Sequence, residues 1–397
     1  MATRNGSPPV PAASIRVSEN LLEEMAARMH ATESFPMSVE TRFDPSMVGV
    51  VPTIGRVSAN LRLELVDSHV RLRSGDGNRP RLGVHMDGKV TWELPVGRVV
   101  QTFDLRCEVL PEVTVVLCEE DAISVSADFA RAKIESVAAE IRDTSYLPSG
   151  ITQELLGPLG RRFLDGFSRE AVRVFLRRIG RRQSKMLDQF ARWIKALEVG
   201  PGPAGVSVGQ GWVDFAFDNE LADRNRALAR DLDRRFDGTP IGVTVSAERS
   251  ALLLDFWAAE FERANDTSFG DSKFRVEDGT AYLQTTAAAP MPLGNAGPKS
   301  RVSFELSPHV SDGVMKLHPR VLELDLPRGL GWLRTPLRRM IDRGLGRRMR
   351  FEVIWQLPIP FAGDEWWQLS MERLDIDVDA VRIWLDAWFP PPSEPVS

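Results

Sequence analysis

The side chains best suited to metal or redox chemistry are few in this sequence, and they stand far apart. The chain has five histidines and two cysteines among 397 residues. No histidine stands four residues from another, as zinc ligands on a helix do, and none lies near a cysteine. The sequence therefore predicts no metal site at any of its histidines, which are His30, His69, His85, His309 and His318.

The glycine-rich stretch GVSVGQG, residues 205–211, is the next candidate for chemistry. Phosphate loops, dinucleotide folds and nucleophile elbows all need a helix directly after such a stretch, and dinucleotide folds also need an acidic partner. This stretch runs into a predicted strand instead. We therefore expect no catalytic residue and no cofactor, while a hydrolase whose nucleophile and base come from distant segments remains an alternative.

Length and composition favour a soluble protein with two domains or two similar halves. Apolar residues make up 43% of the chain and charged residues 26%, which excludes a wholly disordered protein. The formal net charge of -5 argues against a dedicated nucleic-acid binder. The N-terminus lacks a signal-peptide core, and no window approaches the roughly 20 apolar residues of a membrane helix. We expect a cytoplasmic protein that is soluble or peripheral to a membrane.

The first half begins with a helix and continues as alternating strands. Ser18 is placed to cap a helix whose apolar side holds Leu21, Leu22, Met25 and Met29. Apolar and polar residues then alternate over about a hundred residues, with turns predicted at residues 75–77 and at Asp87-Gly88. This pattern predicts long antiparallel strands.

The two cysteines fall within the alternating region. A hairpin centred between Glu112 and Val113 would place Cys107 directly opposite Cys118. Cross-strand partners lie close enough for a disulfide after a small adjustment, so the sequence permits one bridge. Two reduced thiols are the other interpretation.

The spacing of apolar residues changes twice more along the chain. From Ala127 to Leu197 it is helical and includes the basic run GRRFLDGFSREAVRVFLRRIGRRQSK. The Gly- and Pro-rich stretch at residues 199–211 then marks a seam. It leads into a predicted strand from Val206 to Phe217 and a polar helix from Asn219 to Phe236.

Two sequence echoes predict an internal duplication. SIRVSENLLEEM at the start has the same plan as IGVTVSAERSALLL from Ile241: an extended piece, a Val-Ser step and a helix. GPLGRRFLDGF from Gly157 resembles TPLRRMIDRGL from Thr335. The two echoes occur in the same order with strands between them, as expected of repeated halves.

The second basic segment, residues 328–350, has eight arginines and one aspartate. Its apolar residues repeat at helical spacing: Leu330, Leu333, Leu337, Met340, Ile341 and Leu345. The arginines fall mostly elsewhere on the helix. Packing on a sheet explains such a helix, and so does an incompletely closed cleft for an apolar ligand.

These segments together resemble the helices of the tubular lipid-binding (TULIP) superfamily, and most closely the family of bactericidal/permeability-increasing protein and related lipid-transfer proteins. The segments are SIRVSENLLEEMAARMHATESFPMSVETRF, VTVSAERSALLLDFWAAEF and GLGWLRTPLRRMIDRGLGRRM. The chain departs from the family in having no export signal, extra helices between about residues 168 and 197, and a differently placed cysteine pair.

The resemblance implies an α+β fold of two pseudo-repeated barrels. Each barrel would be a bent antiparallel sheet wrapped on long helices, and the two would join end to end through a central sheet. The expected domains are a flexible tail at 1–14, a first barrel with extra helices at 15–200, a connector at 201–240, a second barrel at 241–389 and a tail at 390–397.

The resemblance also implies non-enzymatic binding or transfer of a phospholipid or fatty-acid-like lipid between helix and sheet. The implied lipid-binding residues are Leu21, Met25, Met29, Leu253, Phe256, Trp257, Leu333 and Leu337. An anionic membrane surface is a further expected partner, through Arg334, Arg338, Arg343, Arg347 and Arg348. Nucleic acid is not an expected partner, and the oligomeric state is left open. A structural or assembly protein with filled barrels is the main alternative.

Overall fold

Antiparallel sheets make up most of this molecule. The computed structural model describes residues 12–31, 38–43, 58–73, 79–94, 97–120, 122–147, 167–187, 189–217, 236, 238–265, 273–290, 296–326, 329, 331–336, 338–339, 350–359, 366–378 and 380–391. Most of them lie in strands of three antiparallel sheets, one of which curls into a half-barrel. The predicted antiparallel α+β plan is confirmed, but the long helices on which the sheets were expected to wrap are not supported.

The central sheet joins strands from both halves of the chain. Its middle pair is β1 (Ala13–Ser18) and β11 (Ile241–Ser246), which run antiparallel with Ser14 opposite Thr244. The two short strands that the sequence echo singled out are therefore direct neighbours. The flanking strands are β9 (Gly205–Gly209) and β10 (Trp212–Phe217) beside β1, and β17 (Ile354–Pro358), β18 (Trp366–Ile376) and β19 (Ala380–Trp388) beside β11.

Each half also has a sheet of its own. In the first half the strands follow chain order: β2 (Ser38–Phe43), β3 (Ser58–Arg71), β4 (Arg81–Leu94), β5 (Gly97–Leu117), β6 (Ala122–Leu147) and β7 (Arg181–Leu187), with β8 (Gly202–Pro203) on β5. In the second half they are β12 (Lys273–Glu277), β13 (Thr280–Pro290), β14 (Ala296–Ser311), β15 (Val314–Asp325) and β16 (Arg350–Glu352). Both halves thus run strand, helix, meander and return to the central sheet, and the opening strand and helix of each half are those of the first echo.

The helices leave the central pair at opposite ends because β1 and β11 are antiparallel. Helix α1 (Glu19–Ala31) follows β1, and the Ser18 hydroxyl accepts a hydrogen bond from the Leu21 N–H at 3.3 Å, which is the predicted cap. Two further helices, α2 (residues 167–179) and α3 (Gln189–Ala196), occupy part of the predicted helical region. Helix α4 (Ala247–Asn265) follows β11.

The predicted helical period from Ala127 to Leu197 is wrong as far as Leu147, and again at Arg181–Leu187, which form β7. Residues 127–147 belong to β6, which pairs with β5 from Ile123 opposite Leu117 to Leu147 opposite Arg98. The segment contains good helix formers such as Ala, Glu and Arg, but intrinsic propensity contributes little free energy, and pairing along the whole neighbouring strand overrides it. Half-buried Ile134 and Ile141 pack against the core on one face of β6.

The predicted hairpin at Glu112 is also wrong. Strand β5 passes through Pro111 and Glu112 without turning, so Cys107 lies in the strand and Cys118 directly follows it. Eleven residues of extended chain span about 35 Å, far beyond the reach of a disulfide. Both thiols are free, and burial raises the pKa of Cys107 to about 12, which keeps it protonated.

Two further predicted boundaries differ from the structure. Asp87 and Gly88 lie in the middle of β4 instead of in a turn, with Gly88 opposite Phe103 of β5. The predicted strand from Val206 to Phe217 is a hairpin, in which Gly211 turns the chain with a φ of 76°. The turn at 75–77, the helix at 219–236 and most of the second echo lie outside the described residues.

A glycine is required at position 88 by packing. A Cβ built there would lie 2.2 Å from two atoms of the Phe103 ring, and Phe103 is 1% exposed in the first-half core. We expect Gly88→Ala to lower the free energy of unfolding by about 1–3 kcal/mol, because the ring has no space to move into. Urea denaturation measures this. The matched control is Gly202→Ala in β8, where a Cβ would meet no atom within 4 Å; equal stability of the two variants would contradict the packing argument.

Candidate functional site

An apolar cavity of about 210 Å³ lies in the first half, between α1, α2 and the sheet. Its lining side chains are apolar except for Ser68 and Arg81. Such a cavity excludes water and favours an apolar ligand. The lining residues are Leu22, Met25, Ala26, Leu65, Ser68, Val70, Pro80, Arg81, Leu82, Val84, Pro111, Val113, Val125, Ala127, Phe129, Phe175, Leu176, Ile179, Val206, Val213 and Phe215.

The cavity forms where the β5–β6 ladder is interrupted. Glu112 pairs with Asp128 and Leu110 pairs with Lys133, so four residues, 129–132, lie opposite the single residue Pro111. Proline has no N–H to donate to a ladder, and bulges are among the few places where a sheet tolerates it. The Phe129 N–H donates instead to the Gly180 carbonyl at 3.1 Å. The extra residues therefore turn β6 toward the end of α2.

A second bulge on β3 turns further side chains toward the cavity. The register shifts between Leu65 and Asp67, leaving Val66 42% exposed on the outer face. Side chains alternate along a strand, so this extra residue reverses which positions face inward. Ser68 and Val70 consequently line the same cavity as Leu65.

Helix α2 covers the interrupted ladder. Gly180 ends it with a φ of 66°, and its N–H donates to the Leu176 carbonyl at 2.9 Å. Glycine adopts this left-handed conformation without strain, which allows the chain to enter β7 at once. Leu176 and Ile179 are buried and form one wall of the cavity.

Helix α1 forms another wall with Leu22, Met25 and Ala26. The Glu19 carboxylate fixes its start by accepting the Leu72 N–H at 2.6 Å, and the Glu19 N–H donates to Gly211 at 2.9 Å. These two bonds tie the first turn of α1 to the end of β3 and to the β9–β10 turn. These bonds thereby hold α1 against the first-half sheet, where it borders the cavity.

The structure places the sequence-predicted lipid-binding residues in different surroundings. Met25 lines the apolar cavity, whereas Leu21 is buried in the core and lines a separate, more polar cavity. Leu253 and Trp257 are buried in the same core as Leu21, a core that both halves share, and Phe256 packs against it. Leu333 is half-buried, and the side chain of Met29 and residue Leu337 lie outside the described residues. As ligand contacts, these residues stay predictions.

The predicted membrane-surface arginines are described only in part. Arg334 and Arg338 are exposed, and Trp332 in the same segment is 74% exposed. A guanidinium N–H of Arg338 donates to the Val321 carbonyl at 2.6 Å, so this side chain also anchors its segment to β15. Arg343, Arg347 and Arg348 lie outside the described residues. Within those residues no helix combines the length and apolarity that crossing a bilayer requires.

Sequence reasoning missed the β6 and α2 walls of the cavity. Val125 lay in the region predicted to form strands, whereas Ala127 and Phe129 fell at the start of the region predicted to be helical, which hid how far the alternation continues. The α2 wall did carry a signal, because Phe175, Leu176 and Ile179 have the spacing of an apolar helix face.

A buried ion pair holds the central sheet beside the cavity. Arg16 of β1 and Asp214 of β10 are cross-strand partners, and their side chains make two bonds of 2.8 and 2.9 Å. The Arg16 guanidinium also lies 4.0 Å from the centre of the Trp212 ring. Burial raises the pKa of Asp214 from its ordinary value of 3.8 to about 6, although Arg16 opposes this rise.

The more polar cavity, about 590 Å³, lies next to this ion pair. Its charged side chains already have partners: Arg16 pairs with Asp214, the Glu19 carboxylate accepts the Leu72 N–H, and Glu24 pairs with Arg28 at 3.0 Å. Charges already paired in this way offer little to select a ligand. The apolar cavity is therefore the better candidate site.

A cluster of His85, Asp87 and Asp104 has atoms close enough to hold a metal ion. The Arg142 guanidinium pairs with both carboxylates, at 3.0 Å to Asp87 and in direct contact with Asp104. Arg142 is the main cause that holds the pKa of Asp104 below its usual value. A cation would have to displace this positive charge, so we assign no metal to the cluster.

Residues 205–209 match the spacing Gly-x-Ser-x-Gly, a match that the sequence prediction overlooked. Ser207 lies inside β9, opposite Asp214 on β10. A nucleophile elbow requires the serine on a sharp turn between strand and helix. Ser207 therefore lacks the backbone geometry of such a nucleophile.

The comparisons with known proteins add little to this geometry. No protein-family model and no curated protein matches the chain. Among solved structures, the crystal structure of lipopolysaccharide binding protein is similar at 12% identity, over 96% of this chain and 99% of that chain, with a TM-score of 0.35. A likeness at that TM-score carries no argument for function, so the proposal below rests on the cavity.

The buried ion pair makes stability depend on pH. Because the folded pKa of Asp214 lies above the unfolded value, its stabilising contribution is complete below about pH 3.8 and is lost as pH rises through about 6. Relative to the non-titrating Asp214→Asn, wild-type protein should lose about 2 kcal/mol of unfolding free energy between about pH 4 and about pH 7. Urea denaturation at several pH values measures this difference. Glu64→Gln, at an exposed carboxylate, is the control; a pH-independent difference for Asp214→Asn would contradict the assigned pKa.

Proposed function

We propose that this protein binds a lipid without catalysing its conversion, and that the apolar cavity of the first half holds part of one acyl chain. The observation that carries the proposal is the lining, in which only Ser68 and Arg81 are polar. An apolar cavity of this kind recognises shape and apolar surface alone. Ligands with unbranched hydrocarbon chains fit that requirement.

The cavity volume limits the ligand. A water molecule takes about 30 Å³ of liquid, and a dry cavity of about 150 Å³ holds a benzene molecule. At a similar volume per carbon group, 210 Å³ holds roughly seven groups. Removing roughly seven methylenes from water contributes about 5–6 kcal/mol before the cost of association. We therefore favour a single-chain lipid whose remaining carbons and head group lie outside the cavity.

Membrane contact is the second part of the proposal. Arg334 and Arg338 are exposed and lie in the same segment as the exposed Trp332, and this combination of residue types suits an anionic lipid surface. Such contact would bring the protein to its lipid source. Transfer between membranes would be the physiological use of a cavity that holds one chain.

Filling the cavity should abolish binding. Ala26 is 4% exposed and lines the cavity, so Ala26→Phe places a ring where the chain would lie. We expect at least a tenfold loss of affinity for decyl glucoside, an uncharged single-chain ligand, measured by calorimetry below its micellar concentration. The matched control is Ala27→Phe, one residue along the same helix but exposed, which should bind within twofold of wild type.

Native mass spectrometry of the purified protein, followed by lipid extraction, gives the independent test. A single-chain lipid in near-integral ratio, absent from Ala26→Phe, would support the proposal. A protein that is free of lipid and takes up none from liposomes would reject it in favour of a structural protein with filled halves.

A further inference from the structure

A groove of about 270 Å³ runs beside the apolar cavity, between α2 and the far part of β6. Its floor is apolar and consists of Ala130, Ala132, Ile134 and the buried Leu176. Its wall consists of three arginines, Arg169, Arg173 and Arg177. The groove was not among the sites predicted from the sequence.

The groove adjoins the cavity on α2 and β6. Leu176 lines both spaces. On β6, Phe129 faces the cavity and the next residue, Ala130, lines the groove, because the bulge opposite Pro111 changes which residues face α2. A chain leaving the cavity past Leu176 would thus pass over the apolar floor.

The three arginines form one row. They stand four residues apart on α2, so they project from the same side of the helix at intervals of about 6 Å. All three are exposed. A guanidinium group presents five N–H donors, so two neighbouring arginines can bind one phosphate or carboxylate together.

The groove carries excess positive charge. Glu170 is the carboxylate paired with this row among the described residues, lying 3.1 Å from Arg173 and 3.7 Å from Arg177. Three arginines against one glutamate leave a formal charge of +2. Arg81 at the cavity, by contrast, is paired with Glu108 at 2.8 Å. The attraction for an anion is therefore greatest at the groove.

We propose that Arg169, Arg173 and Arg177 bind the anionic head group, a phosphate or a carboxylate, of a single-chain lipid whose tail lies in the apolar cavity. This inference rests on the proposed function and names its ligand class. The cavity holds roughly seven carbon groups, the floor of the groove covers those that follow, and the head group lies against the arginine row. Specificity for charge and specificity for the chain are thereby assigned to different residues.

The test compares decyl phosphate with decyl glucoside, which have the same chain, by calorimetry. The variant carries Arg169→Gln, Arg173→Gln and Arg177→Gln together. We expect it to bind decyl phosphate at least tenfold more weakly than wild type and decyl glucoside within twofold. The matched control is Arg178→Gln, an exposed arginine of α2 that does not line the groove, which should bind both ligands as wild type does.

Other outcomes separate the inference from the proposed function. Undiminished binding of decyl phosphate by the triple variant would overturn the head-group site. Failure of wild type to bind decyl glucoside would instead reject the cavity. Inorganic phosphate that binds wild type as tightly as decyl phosphate does would show a site for the free anion, which also overturns the inference.

Wild-type protein provides a measurement that does not depend on the folding of a variant. Arg173 and Arg177 are 56% and 66% exposed, so salt screens their attraction for an anion. Raising the ionic strength to about 0.5 M should weaken decyl phosphate binding several-fold and leave decyl glucoside unchanged. Equal salt responses of the two ligands would contradict a role for the arginines.

Discussion

The pairing of β1 with β11 is the constraint on which the rest of this structure depends. Each is the short strand that opens one half of the chain, and β11 is buried along its whole length. Because they pair antiparallel, α1 and α4 leave at opposite ends, and each half also forms a sheet of its own. The buried pair of Arg16 and Asp214 lies on the neighbouring β1–β10 ladder. The central sheet therefore combines buried apolar side chains with a matched pair of charges.

The candidate site results from imperfect pairing within the first-half sheet. A fully paired, regular sheet would pack its inner face closely against α1 and α2, as interiors normally do. Bulges at Val66 and opposite Pro111 redirect side chains and turn β6 toward α2. The cavity and the arginine-lined groove both border this interruption. In the second half, Leu253 and Trp257 of α4 are buried in a packed core.

Charge is distributed according to burial. In the interior, Arg16 is matched by Asp214, since an unpaired buried charge would be costly. On the surface of α2, three arginines share one glutamate, because water solvates the excess at little cost. An excess of exposed charge beside an apolar cavity gives an amphiphilic ligand two separate points of attachment.

The sequence by itself determined the local features of this protein: the Ser18 cap, the strand-helix units that open each half, and the long antiparallel strands of the first half. These depend on nearest neighbours and on periodicity, which a sequence displays directly. Only the tertiary structure decided that β6 is a strand, because its pairing with β5 overrode a helical pattern. Only the tertiary structure also explains Gly88, which leaves space for the Phe103 ring of the neighbouring strand. It also decided the cavity, because the space between Met25, Phe129 and Leu176 depends on where a ladder breaks, and contacts distant in sequence set that position.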